Sequence, residues 1–135
     1  MSPKRNLSKV VILKVTGTTS AKTKDVVAVE EPLEIRLAGE FEGKRFDRSV
    51  SVTMRTPGDD FELAAGFLFT EGILRSREDV REITYCVGAN KEEQHYNVVR
   101  VRLRPGVPFD PEKLQRNFYA FSSCGICGKT SLDAV

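Results

Sequence analysis

Pro32-Leu33-Glu34-Ile35-Arg36-Leu37-Ala38 is the stretch whose reading decides the fold class. Leu33, Ile35 and Leu37 alternate with Glu34, Arg36 and Ala38, and a period of two marks a half-buried strand, not a helix. Pro32 stands at its start, where a missing amide donor is tolerated. Gly39 and Gly43 bracket a polar turn, after which Val50, Val52 and Met54 alternate with Ser49, Ser51, Thr53 and Arg55. The pattern predicts two antiparallel strands joined by a loop. Upstream, Val26 to Val29 is a further short apolar run.

Downstream, Thr56-Pro57-Gly58-Asp59-Asp60-Phe61-Glu62 reads as a turn followed by a helix start. Asp59 is placed to accept from first-turn amides, with Glu62 three residues on, as in a capping box. Phe61, Ala64, Ala65 and Leu68 share one helical face, and Leu63 and Phe67 flank it, which predicts a helix buried on more than one side. Gly66 inside it suggests close packing against another backbone, and Gly72 is placed to stop the helix near Thr70 or Glu71. Ser76-Arg77-Glu78-Asp79 reads as a capped short turn, Arg81 to Val87 as a strand, and Gly88 to Gln94 as a loop. Asn97 to Leu103 alternates Val99, Val101 and Leu103 with Arg100, Arg102 and Arg104, a strand whose basic face is expected to be solvated. Pro105 and Pro108 close it, and Asp110-Pro111-Glu112 starts a short helix. The order of elements predicts an α+β fold: a mostly antiparallel sheet, a buried helix, and a cysteine loop leading into a helix.

The composition of the 135 residues, 40% of them hydrophobic, fits one packed domain. No apolar run approaches the roughly 20 residues needed to cross a bilayer, so no membrane partner is expected. Val10 to Val15 is broken by Lys14 and is too short for an export signal, so the cytoplasm is the expected compartment. Residues 1–24 carry six basic side chains and no acid, and the remainder balances to −4. Residues 1–25 are accordingly expected to form a flexible basic arm, and 26–135 the α+β domain. Aromatic platforms on a basic face are lacking, so nucleic acid is not an expected partner.

Chemistry concentrates in Ser122-Ser123-Cys124-Gly125-Ile126-Cys127-Gly128-Lys129. Flanking glycines let backbone amides approach a sulfur, a helix starting near Gly128 adds its positive end, and Lys129 adds a cation. These devices lower a thiol pKa and favour the reactive thiolate, which suits Cys124 to accept and hold sulfane sulfur. Two other uses of the pair are compatible with its spacing. In a zinc-binding interaction module Cys86 and His95 would have to complete the ligands, and no second close pair is present. A thioredoxin-like dithiol redox protein would place the pair near a βαβ unit instead of after an α+β pattern. No resident metal is expected. Cys86 lies in an apolar strand and is expected to be a buried, slow-reacting thiol.

The string Asn117-Phe118-Tyr119-Ala120-Phe121-Ser122-Ser123-Cys124-Gly125-Ile126-Cys127-Gly128-Lys129-Thr130-Ser131-Leu132-Asp133-Ala134 closely resembles the signature of the FdhD family, the formate dehydrogenase accessory sulfurtransferases. The stretches Val29 to Ile35 and Thr56 to Ile73 are similar to the same family. The resemblance implies a cytoplasmic homodimer whose fold has a part similar to the cytidine deaminases. It also implies an enzymatic role, transfer of sulfur from a cysteine desulfurase to the molybdenum bis-guanine-dinucleotide cofactor of formate dehydrogenase. Cys124 then corresponds to the persulfide carrier and Cys127 to an auxiliary thiol. The cofactor is a substrate, not a tightly bound resident, and its binding residues are expected outside this chain. Family members are about double this length, so the chain, which stops inside the helix after Cys127, is expected to be truncated.

Overall fold

Glu42 and Gly43 turn the chain between its two longest strands, and both have positive φ (50° and 75°), the conformation of a two-residue type I′ hairpin turn. In the computed structural model, which describes residues 6–87 and 96–111, this hairpin is built from β3 (Glu31–Phe41) and β4 (Lys44–Arg55). The pairing is antiparallel as expected, but the strands run further than the alternation suggested. Gly39 lies inside β3 opposite Phe46 and does not bracket the turn. A Cβ at Gly39 would stand 3.1 Å from the Phe46 ring, so the hydrogen there makes room for an aromatic neighbour. A bulge between Ile35 and Arg36 inserts Val50 into the core.

The rest of the domain closes around β3. Helix α1 (Asp60–Thr70) follows β4, then a 3₁₀ turn (Arg77–Asp79), β5 (Val80–Tyr85) and β6 (Val98–Leu103). The sheet order is β4-β3-β6-β5, with β5 and β6 antiparallel and β3 and β6 parallel. The sheet is therefore mixed, antiparallel in two of its three pairings, within an α+β architecture. Leu33, Ile35, Leu37, Val99, Val101 and Leu103 point to one face and meet Ala64 and Leu68 of α1. Each such buried aliphatic side chain stabilises the fold by about 1.5–3 kcal/mol relative to exposure. β3 is not half-buried, as its alternation implied: Glu34 and Ala38 on its other face are buried too. A central strand has neighbours on both edges, and Glu34 keeps a charge partner there by accepting from Arg36 Nη1 at 2.8 Å.

Helix α1 departs from its sequence reading in three respects. Its buried stripe is Asp60, Ala64 and Leu68, one face only, while Leu63 and Phe69 are exposed and Phe61 and Phe67 half-buried. Asp59 occupies the N-cap position but makes no side-chain capping bond, so no capping box with Glu62 forms. Around Gly66 there is open space where a Cβ would stand, so it marks no close backbone contact. Gly72 ends the helix as expected: its φ is +76°, and Ile73 N donates to Leu68 O at 2.9 Å. The turn after Ser76 is capped by the Asp79 carboxylate, which accepts from the amides of Arg75 (2.8 Å) and Ser76 (3.3 Å).

Residues 7–28 include most of the stretch read above as a basic arm. They form an antiparallel ribbon, β1 (Leu7–Thr16) with β2 (Thr19–Ala28), separate from the four-stranded sheet. Lysine and threonine content hid a β-branched run, Val10-Val11-Ile12 with Val15 and Thr16, that ends at Gly17. Gly17 has φ +60° at the first position of a two-residue loop, as type II′ hairpins require. Thr19 Oγ1 donates to Thr16 O at 2.8 Å across it.

Candidate functional site

Arg55 ends β4 and Asp60 begins α1, so the turn between them brings a base and an acid back together. Arg55 Nε donates to Asp60 Oδ1 at 2.9 Å and Nη2 to Oδ2 at 3.0 Å, a bidentate pair with side chains only 4% and 1% exposed. The guanidinium also donates to Glu31 O (3.2 Å) and Tyr96 O (2.9 Å). Tyr85 Oη donates to Asp60 Oδ2 at 2.8 Å. The Tyr85 ring packs on Phe61 at 4.9 Å and edge-on against Tyr96 at 5.1 Å. One ion pair thereby ties the start of β3, the end of β4, the first turn of α1, the end of β5 and the approach to β6. Arg55 and Tyr85 occupy the Asp60 carboxylate, so this cluster positions backbone and offers no nucleophile. It joins the stretch around Glu31 to the stretch around Asp60, two of the segments singled out in the sequence.

On the opposite face of the sheet the expected basic strip is paired with acids. Arg36 Nε donates to Asp47 Oδ1 at 2.9 Å, and Arg100 Nε lies 2.8 Å from Asp47 Oδ2. Arg102 Nε lies 2.9 Å from Glu82 Oε1. The Arg100 and Arg102 contacts are ion pairs without hydrogen-bond alignment. Partial burial opposes the charge of Arg36, yet its hydrogen bonds to Asp47 and Glu34 outweigh this and raise its pKa. Arg104, beyond the strand, donates from Nε to Val80 O at 3.2 Å. These partners make the strip a self-neutralised surface.

Cys86 is half-buried, not fully buried as expected, and its amide donates to Val98 O at 2.8 Å. Burial pushes its thiol pKa up; Arg100 pulls against this, and Asp47 adds to it. A thiol so shifted is largely protonated at neutral pH, the opposite of what a sulfur-accepting thiolate needs. Cys124, Cys127, Lys129 and His95 lie outside the described residues, as do the loop from Gly88 to Gln94 and the helix expected from Gly128. Among the described residues no three His, Cys, Asp or Glu side chains group as metal ligands. No helix among them is long and apolar enough to cross a membrane. An open groove of about 620 Å³ runs between α1 and β5, floored by Ala65, Leu74 and Ile83 and rimmed by Phe69, Arg77 and Arg81.

The sequence places the helix start on Asp59 and does not single out Asp60, which the structure buries against Arg55. The available signal was spacing: Asp60 is four and eight residues before Ala64 and Leu68, so it falls on their face, and a buried acid needs a base.

The family model described as "FdhD/NarQ family" matches residues 28–135. The sulfur carrier protein FdhD of Streptomyces coelicolor is 52% identical over 112 residues, covering 82% of this chain and 37% of that protein. That of Nocardia farcinica is 40% identical over 125 residues, covering 92% of this chain and 40% of the relative. The chain thus spans well under half the length of these relatives. The fold is similar to the crystal structure of a candidate formate dehydrogenase accessory protein from Desulfotalea psychrophila, with TM-score 0.57 and 24% identity. That likeness covers 73% of this chain and 36% of the other.

Proposed function

Since the chain belongs to the FdhD/NarQ family, we propose that it carries sulfur for the maturation of formate dehydrogenase. The observation that supports this reading most strongly is the family match over residues 28–135, a span that includes Cys124-Gly125-Ile126-Cys127. The donor is the persulfide of a cysteine desulfurase. The Cys124 thiolate attacks the terminal sulfur of that persulfide, a new S–S bond forms, and the donor cysteine leaves as a thiolate that takes up a proton. The acceptor is the molybdenum bis-guanine-dinucleotide cofactor of formate dehydrogenase. Carriage needs one thiolate, so Cys127 is auxiliary. This sulfurtransferase works in the cytoplasm as a homodimer, and the family fold includes a part similar to the cytidine deaminases. Within the described residues, the Arg55–Asp60 pair fastens the end of β4 to the first turn of α1.

The test is sulfur loading. Incubated with a cysteine desulfurase and cysteine, the protein is expected to gain the mass of one sulfur atom, removable by dithiothreitol. Cys124→Ala should abolish the gain and Cys127→Ala should retain it. Loading that survives Cys124→Ala and disappears with Cys127→Ala overturns the assignment.

A further inference from the structure

The two strands of the β1–β2 ribbon share an exposed face of unusual make-up. Register places Leu7, Lys9, Val11, Leu13 and Val15 of β1 on one side with Ser20, Lys22, Lys24 and Val26 of β2. Val11, Leu13 and Val15 are 67%, 61% and 65% exposed. The face therefore has an apolar row on one strand and a lysine pair beside it on the other. An isolated two-stranded ribbon is marginal in water, and contiguous exposed apolar surface of this kind marks an interface. No aromatic residue occurs in residues 7–28, which removes the stacking groups of a nucleic-acid platform and the interfacial anchors of a membrane ribbon. The face fits a protein surface that is both apolar and acidic.

Such a surface lies on α1 of the same chain. Asp59, Glu62, Leu63, Gly66, Phe69 and Thr70 fall on one helical stripe, and all are exposed. Neither lysine nor arginine occurs anywhere in α1. The space left open at Gly66 lets a strand approach the helix backbone. Alternate lysines on a strand stand about 7 Å apart, and acids three residues apart on a helix about 5 Å apart, so Lys22 and Lys24 can meet Asp59 and Glu62 together. Only Val29 and Glu30 separate β2 from β3, and within one chain both surfaces stay exposed. Two ribbons stacked on each other would oppose lysine to lysine.

We infer that the exposed face of the β1–β2 ribbon of one copy packs on the outer stripe of α1 of a second copy, reciprocally, so that two chains exchange arms. This deepens the homodimer reading above by naming its surfaces and does not depend on sulfur carriage. The interface is isologous, each copy giving one ribbon and one helix.

The test reads association alone, by sedimentation of the whole chain. The parent chain is expected to dimerise. Lys22→Glu with Lys24→Glu, and separately Asp59→Lys with Glu62→Lys, should each weaken the dimer about a hundredfold or more by placing like charges together. Mixing the two variants should restore a dimer, because reversed ribbon then meets reversed helix while the parent ribbon meets the parent helix. That recovery also shows that both variants are folded. A monomeric parent chain, a dimer indifferent to either reversal, or a mixture that stays monomeric overturns the inference. So does binding of the monomer to vesicles of anionic phospholipid that requires Lys22 and Lys24.

Discussion

Asp60 is an acidic side chain with almost no contact with water, and its charge is tolerated because Arg55 meets it with two hydrogen bonds and Tyr85 with a third. Such a pair can contribute little to stability as a pair, since both ions have lost their hydration. Breaking it is another matter. Asp60→Ala would leave the Arg55 guanidinium buried with carbonyl partners only, and unfolding in urea should show a loss of about 3–5 kcal/mol. Replacing both residues by apolar ones of similar volume should cost less than either single change. A loss under about 1 kcal/mol for Asp60→Ala would mean that water reaches Arg55. This residue also shows where sequence reading stopped. Two adjacent aspartates begin the helix, and the capping rule favours the first; the choice is made by the buried base, five residues earlier in the chain, which a local rule does not consider.

At the scale of elements, period-two alternation gave the β3–β4 hairpin and β6, and Gly72 gave the end of α1. The apolar surface of α1 is narrower than residue types imply, because Leu63, apolar by type, faces outward and Phe67 is only half-buried. In the ribbon, lysine and threonine content masks the β-branched run and the Gly17 turn that mark a hairpin. Turns are also where this fold is most sensitive to substitution. Gly43 has φ +75° in the β3–β4 turn, a region costly for any side chain, although nothing crowds the site. Gly43→Ala should therefore destabilise the domain by about 1 kcal/mol, through backbone strain and not through contact. Thermal unfolding would register it. An unchanged midpoint would mean that the turn relaxes to another type without disturbing the register. The Glu42 side chain already occupies left-handed backbone (φ 50°), so the turn has little further strain to absorb.

Across the whole molecule, the step that periodicity could not supply is the parallel pairing of β3 with β6, in which Glu34 meets Val98. Two antiparallel hairpins are local and leave marks in the sequence; the way they join side by side is decided by burial, and the cysteine motif lies beyond the described residues altogether. The joining leaves one further consequence. Tyr85 and Tyr96 stand at the two ends of the β5–β6 connection, and their rings touch while both are fastened to the Arg55–Asp60 pair. The residues flanking the connection on both sides are thus fastened to the same ion pair. Doubling a closed loop costs only about 0.6 kcal/mol in chain entropy, so a short Gly/Ser epitope placed between Lys91 and Glu92 should leave the urea midpoint almost unmoved. The same epitope placed between Gly58 and Asp59, inside the span from Arg55 to Asp60, should unfold the domain.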